Sequence, residues 1–299
     1  MESLAPENLA HKWILDKGEC ALLGYFGDDK MIADTARVSY RKGTKQTSTD
    51  KQLIRYLVRN KHTSPLEHAT LRFYIKAPLF VVQQLLRHRT FKFNQASARY
   101  SEMLNEAYVP LPEHVTSQDA KNKQARTDTK VEHNLDIVEH MNANSSEAFK
   151  EYNYYLGSGV ARELARINVP HGTYSELIVT CDLHNLLHFL ALRLHPHAQY
   201  EIRVYAEAMY EFIKGLFPAA IEAWEDCILN SFTLTGTMQE VLSAAINWYG
   251  SACEKYNGET DEPLGLWPGA VQKAAEGASW ASKSEKDQFI TWCCKRLKV

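Results

Sequence analysis

The chain has 299 residues, of which 45% are apolar and 23% charged, with a formal net charge of −2. That balance belongs to a folded protein with a sizeable core and excludes an intrinsically disordered chain. Bulk charge gives no pull toward nucleic acid or anionic membrane, so any anion site has to be made by local clustering.

Residues 1–30 are predicted to form a short helix or two, with ENLAHKWILDKGECALLGYF carrying the periodicity. RKGTKQTST is a polar loop, and Asp50 is the expected N-cap of a helix to about Asn60 on the spacing of Leu53, Ile54 and Leu57. In HATLRFYIKAP, Ala69, Leu71, Phe73 and Ile75 alternate with polar residues, which predicts a strand with one buried face. Pro78 permits a helix start, and Leu79, Val82, Leu85 and Leu86 point inward. On the opposite face Gln84, Arg87 and His88 fall at i, i+3 and i+4 and are expected to project together.

A loop or short strand from Asn94 to Tyr100 follows, then an irregular polar stretch over 102–128. A long helical region runs from Thr129 to Tyr155, with a candidate break near Asn142–Ser145, and ARELARIN is a short helix ended by Pro170. Thr173 to Thr180 is helix or strand; periodicity does not separate the two. Asp182 is the expected N-cap of LHNLLHFLALRLH, and Pro196 opens the next helix. Helical patterns continue past Pro218, then a Gly/Pro/Asp-rich stretch spans Asn257 to Gly269, and the last thirty residues are charged and helical. The expected division is a catalytic domain over 1–216 and a mostly helical extension over 217–299.

Six cysteines are present and none forms a CxxC pair, so reduced thiols and a cytoplasmic location are expected. MESLAPENLAHKW lacks the apolar core of a secretory signal, and no apolar run is long enough to span a bilayer, so no membrane partner is expected. There is no GxGxxG after a strand, no Walker loop and no GxSxG. A bound flavin or nicotinamide would therefore sit in something other than a doubly wound fold.

Two clusters carry chemistry. In RHRTFKFNQASARYSE, Arg87, His88 and Arg89 are followed within ten residues by Asn94, Gln95, Ser97 and Arg99. Basic residues at a helix C-terminus are favoured by the helix dipole. Guanidinium forks, amides and hydroxyls are also the donors that hold phosphate and planar carbonyls, and the cluster as a unit reads as a site for a phosphorylated ligand. The second cluster is Asp182, His184, His188, Arg193, His195 and His197. His184 and His188 at i, i+4 are compatible with zinc, yet no HExxH accompanies them. Capping, core hydrogen bonding and cofactor contacts are the other readings. Arg162 and Arg166 in ARELAR are either a solvated face or phosphate contacts, and KHTSPLEH adds His62, Ser64, Glu67 and His68.

Arg87-His88-Arg89, seven residues, then Ser97 resembles the RHR-x7-S signature of flavin-dependent thymidylate synthases. HTSPLEH, the strand and KAP turn, Gln84, Ser97 to Ser101, ARI…P at 165–170 and LRLHPHAQ at 192–199 stand in that family's order, so the resemblance covers roughly 20–215. It implies an α/β (α+β) fold with a largely antiparallel central sheet, and a homotetramer with shared active sites. It implies conversion of dUMP to dTMP, with methylenetetrahydrofolate as carbon donor, NADPH as reductant and bound FAD as mediator. No enzyme cysteine attacks the pyrimidine in that family, and the hard chemistry belongs to the cofactor. A flavin-dependent NADPH oxidoreductase, or a nucleotide-binding module without methylation, is the competing reading; a nucleic-acid binder is weaker, because basic residues are localised.

By that resemblance Ser97, Arg99 and Arg166 hold the dUMP phosphate, with Gln95, Ala96 and Ala98 in the same loop. Gln84, Arg87 and Arg193 approach the sugar and base, and Arg193 orients and polarises the uracil ring. Arg87, His88, Arg89, Asn94, Gln95 and Ser64 fall on the flavin side, with His197 beside them. His62 lies near the folate and nicotinamide approach and is, with Arg193, a catalytic candidate; Tyr100 is expected beside the ligands. Gln95 stands where many members have glutamate, and Asp182, His184 and His188 replace asparagine, arginine and asparagine on the flavin side. Imidazoles change charge near neutrality, so these departures imply a flavin affinity that varies between about pH 6 and 8.

Overall fold

The computed structural model describes residues 8–39, 48–120, 122–123, 125–255, 267–276, 278, 280 and 283–296. It forms two compact units, 1–230 and 231–299. Residues 41–47 of the polar loop expected over 41–49, and most of the Gly/Pro/Asp-rich stretch, lie outside the described residues.

The N-terminal segment is strand rather than helix. β1 (Ala10–Ile14) and β2 (Gly18–Phe26) form an antiparallel hairpin. Leu15 turns it with φ 58, and Gly18 sits where a Cβ would lie 2.2 Å from the Tyr205 hydroxyl. Ile14, Cys20 and Leu22 are buried as strand residues because β2 pairs with the central strand β3 (Thr70–Pro78), and that pairing overrides the local helical spacing. Between them come α1 (Asp29–Arg37) and α2 (Asp50–Arg59). Thr49, not Asp50, caps α2, in a reciprocal capping box with Gln52, and Asp50 takes the first turn.

The ambiguous 173–180 segment is strand. β7 (Tyr174–Asp182) pairs antiparallel with β3 along its length, since Leu177, Val179 and Cys181 alternate with half-buried residues onto the face that buries Leu71, Phe73 and Ile75. β4 (Lys92–Gln95) closes the other side of β7, giving the all-antiparallel order β1-β2-β3-β7-β4. A separate hairpin joins β5 (Thr116–Gln118) to β6 (Arg126–Lys130), inside the stretch expected to be irregular.

Helices cover the apolar face of the sheet. α3 (Leu79–Leu85) contributes Val81, Val82 and Leu85, and Leu86 beyond it is 42% exposed, where burial was expected. α4 (Asn134–Gly157) is continuous, without the expected break, and starts at Asn134 because Thr129 lies in β6. α5 (Arg162–Ala165) is one turn. α6 (Leu183–Arg193) is capped as expected by Asp182, which accepts from the Asn185 amide at 2.8 Å. α7 (Tyr200–Ile213) starts four residues after Pro196 and buries Ile202, Tyr205, Ala206 and Met209. Full burial of such side chains contributes about 1.5–3 kcal/mol each.

α8 (Pro218–Trp224) buries Ala220, Ile221, Ala223 and Trp224 in the same core. The first unit therefore runs to Asn230 rather than ending at Leu216. The second unit holds α9 (Gly236–Lys255), α10 (Trp267–Glu276) and α11 (Lys283–Arg296), with its own core of Met238, Val241, Val271 and Phe289.

Candidate active site

β4 is an edge strand, and the chain beyond it forms the first half of the site. Ala96 N–H donates to Glu176 O at 2.9 Å, extending the pairing by one residue, and the chain then turns at Ser97, whose carbonyl accepts from Tyr100 and Ser101 N–H. The Arg99 N–H donates to Ser97 Oγ at 3.3 Å. This loop lines a cleft of about 900 Å³ together with Arg166, Glu163, Tyr174, Ser175 and Glu176. Gln95, Ala96, Ser97, Ala98, Arg99 and Arg166 are thus brought to one place, as expected. The Arg162–Arg166 pair splits: Arg166 lines the cleft, whereas Arg162 faces Glu102 at 3.9 Å.

Glu163 lies beside the guanidinium of Arg99, its Oε2 accepting from Nε at 3.0 Å. Sequence reasoning missed Glu163, although it stands three residues before Arg166 and faces the same cleft. It also missed Ser175 and Glu176, since β7 was not separable from helix. Ser175 Oγ accepts from Gln95 Nε2 at 2.9 Å, a bond that a glutamate at 95 would have to make with the hydroxyl as donor. Glu176 accepts from Tyr74 Oη at 2.5 Å.

The RHR segment does not continue α3. With the helix ended at Leu85, Gln84, Arg87 and His88 do not share one face: Arg87 and Arg89 are exposed and His88 is buried. The reason is packing, for the imidazole lies edge-on to Phe189 with centroids 4.8 Å apart and against Phe91 at 5.7 Å. Burial, the Arg193 charge and His188 push the His88 pKa from 6.5 down to about 4. The ring is therefore neutral at physiological pH. Arg193 Nε donates to its Nε2 at 3.2 Å, which puts the ring proton on Nδ1. A neutral acceptor thus holds the half-buried guanidinium of Arg193, the last residue of α6.

The side chains of Arg87, Arg89 and Asn94 make no hydrogen bond or ion pair among the described residues. Gln84 Nε2 donates to Gln199 Oε1 at 2.5 Å. His197 is exposed, its ring 5.0 Å from that of His195, and Tyr100 is also exposed.

A second cavity, about 200 Å³, is bounded by His62, Thr63, His184 and His188 with Leu57, Leu66, Leu187, Ala191 and Trp224. Ser64 begins the adjoining 3-10 turn, but Thr63 is the hydroxyl that lines the cavity. Asp182 spends both carboxylate oxygens on Asn185, at 2.8 and 2.7 Å, as a helix cap. The two clefts share no lining residue, and neither includes Gln84, Arg87 or Arg193.

Residues 21–219 match the sequence profile of the family described as Thymidylate synthase complementing protein. A flavin-dependent thymidylate synthase of Gluconobacter oxydans is 44% identical over 233 residues, covering 77% of each chain. One from Wolbachia pipientis is 42% identical over 248 residues, covering 83% of this chain and 87% of the relative. The UMP/dUMP methylase PolB of Streptomyces cacaoi, solved with 5-Br dUMP, is similar in structure with a TM-score of 0.65 and 33% identity, covering 72% of this chain and 98% of that one. The sheet, the loop after β4 and the sequence matches agree, and the chain belongs to the flavin-dependent thymidylate synthase family.

Proposed function

We propose that this enzyme methylates dUMP to dTMP, taking a one-carbon unit from methylenetetrahydrofolate and its reducing equivalents from NADPH through bound FAD. The observation that carries this reading is the cleft in which Ser97, Arg99 and Arg166 converge on one loop and one turn. A hydroxyl and two guanidiniums suit a phosphate dianion, and a nucleotide phosphate displaces Glu163 from Arg99 on entry.

Arg193 is the residue for the base. A guanidinium held by His88 at a uracil carbonyl stabilises negative charge there as ring carbon C5 takes up the one-carbon unit. Arg87 approaches the same nucleotide from the exposed end of the RHR segment. Cys20 and Cys181 take no part: burial raises both thiols, Cys20 to about 12, so neither is a thiolate at neutral pH.

Fit to a flavin rests on the second cavity. Its walls are apolar and its polar groups include three imidazoles and the Thr63 hydroxyl, a donor set that suits part of a flat heteroaromatic ring system. His62, His184 and His188 would contact that group, with Ser64, Arg87, His88, Arg89, Asn94, Gln95 and His197 toward its remainder. When bound, the flavin supplies the reducing equivalents that turn a methylene into a methyl group.

Separation of the phosphate cleft from the Arg87–Arg193 side within a single chain supports a homotetramer in which one subunit completes another's site. None of the described helices is long and apolar enough to cross a membrane. A cytoplasmic location is proposed on the low cysteine density of the sequence. The test is the spectrum of the purified protein, followed by NADPH-dependent dTMP formation from dUMP and methylenetetrahydrofolate. A colourless protein that cannot be reconstituted with FAD, or a yellow one that oxidises NADPH without making dTMP, overturns the reading.

A further inference from the structure

Glu201, in the first turn of α7, is a carboxylate with only 3% of its surface exposed. Its Oε1 accepts from Tyr108 Oη and from Arg126 Nη1, each at 3.2 Å, and its Oε2 accepts from Gln199 Nε2 at 2.9 Å. Arg126 reaches it from β6 and packs over the Tyr200 ring, 5.6 Å from the centroid. Burial and the Glu201 charge hold the Tyr108 phenol far above its ordinary range, so it remains a donor.

Polarity now propagates. A carboxylate only accepts, so Gln199 has to turn its NH₂ to Glu201 and its carbonyl outward. That carbonyl takes the NH₂ of Gln84 at 2.5 Å. Gln84 cannot flip its amide without setting two carbonyl oxygens against each other. Its own Oε1, which has no partner among the described residues, is left facing away from Gln199.

We propose that the Arg126–Glu201–Gln199 relay, anchored on the buried Glu201 carboxylate, locks the amide of Gln84, making that residue an obligatory hydrogen-bond acceptor for the bound nucleotide. Glu201 and Gln199 are positioning residues, and the inference rests on the reading that places Gln84 at the nucleotide. The donor it takes is N3–H of uracil, which cannot accept, whereas a sugar hydroxyl would pair with either end of the amide. One well-placed acceptor facing a ligand that lacks the donor costs binding by about tenfold or more.

The test reverses the relay. In Glu201→Gln the new amide oxygen keeps Arg126 and Tyr108, its NH₂ faces Gln199, and both glutamines downstream must turn over. In the double variant Glu201→Gln with Gln199→Glu, the carboxylate at 199 accepts from both sides and restores the original polarity. Steady-state KM and kcat are measured with dUMP, and the inhibition constant with dCMP, whose N3 accepts instead of donating. The expected result is that Glu201→Gln raises KM for dUMP about tenfold with kcat nearly unchanged, and that the double variant restores it. Discrimination against dCMP should collapse with Glu201→Gln and return in the double variant.

Should Glu201→Gln fail to fold, Gln199→Met at an exposed position breaks the relay and is expected to lose the same discrimination. Unchanged discrimination in a folded Glu201→Gln or Gln199→Met protein, or no rescue by the double variant, overturns the relay. Gln84→Ala separates the two ideas. If it leaves dUMP binding untouched, the placement of Gln84 fails; if it weakens dUMP while Glu201→Gln alters no discrimination, the relay alone fails.

Discussion

Acid should destabilise this protein through His88 in a way that one substitution can isolate. Only 8% of the residue is exposed, the imidazole packs on Phe91 and Phe189, and Arg193 donates to it, so protonation both charges a buried ring and sets it against a cation. The folded pKa of about 4 lies below the unfolded value of 6.5. The neutral ring therefore contributes its full stability above pH 6.5, and that contribution is lost as pH falls toward 4 and levels off below it. At pH 5 the unfolded ring is nearly all protonated and the folded one mostly neutral, a difference of at most about 2 kcal/mol. Water screening of the half-buried Arg193 charge trims that figure. His88→Gln keeps an acceptor for Arg193 but does not titrate. Between pH 7 and 5 the wild type should lose roughly 5 °C more in Tm than this variant. In histidine-labelled NMR spectra, the resonance missing from His88→Gln should stay flat down to about pH 5 in the wild type. A midpoint near 6.5 for that resonance, or equal pH slopes for the two proteins, would refute the placement of a neutral His88 behind Arg193.

Arg193→Ala should lower turnover about 10²–10³-fold while the protein stays folded and yellow; loss of flavin and fold together would show a structural role. Arg99→Ala should raise KM for dUMP about 10–100-fold with little change in kcat, and an unchanged KM would remove it from the phosphate. Cys181→Ser should leave dTMP formation per folded molecule intact, because the thiol is buried and protonated. Abolished activity in a folded protein would reopen thiol chemistry. Gly18→Ala places a methyl group 2.2 Å from Tyr205 Oη and 2.7 Å from Ile14 O, which should cost about 1–3 kcal/mol; an unshifted Tm would contradict the packing at that turn.

The signals legible in the sequence were those written in local chemistry. β3 announces itself by strict alternation, α6 by Asp182 ahead of a leucine stripe, and the phosphate loop by its cluster of donors. What stayed hidden depends on partners far along the chain. β1 and β2 look helical until β3 is set beside them, and β7 is undecided until its nine residues pair with the same strand. His88 shows the same effect at one residue: charge pattern puts it with Arg87, and two phenylalanines 3 and 101 residues ahead pull it inward. Glu163 and Glu201 were invisible as partners because each is an ordinary helical glutamate until Arg99 or Arg126 is brought against it.

Trp224 belongs at once to the core and to the wall of the cavity that contains His62 and His188. A chain stopped at Leu216 would discard a buried indole and, with it, one side of the chamber proposed to receive the coenzyme.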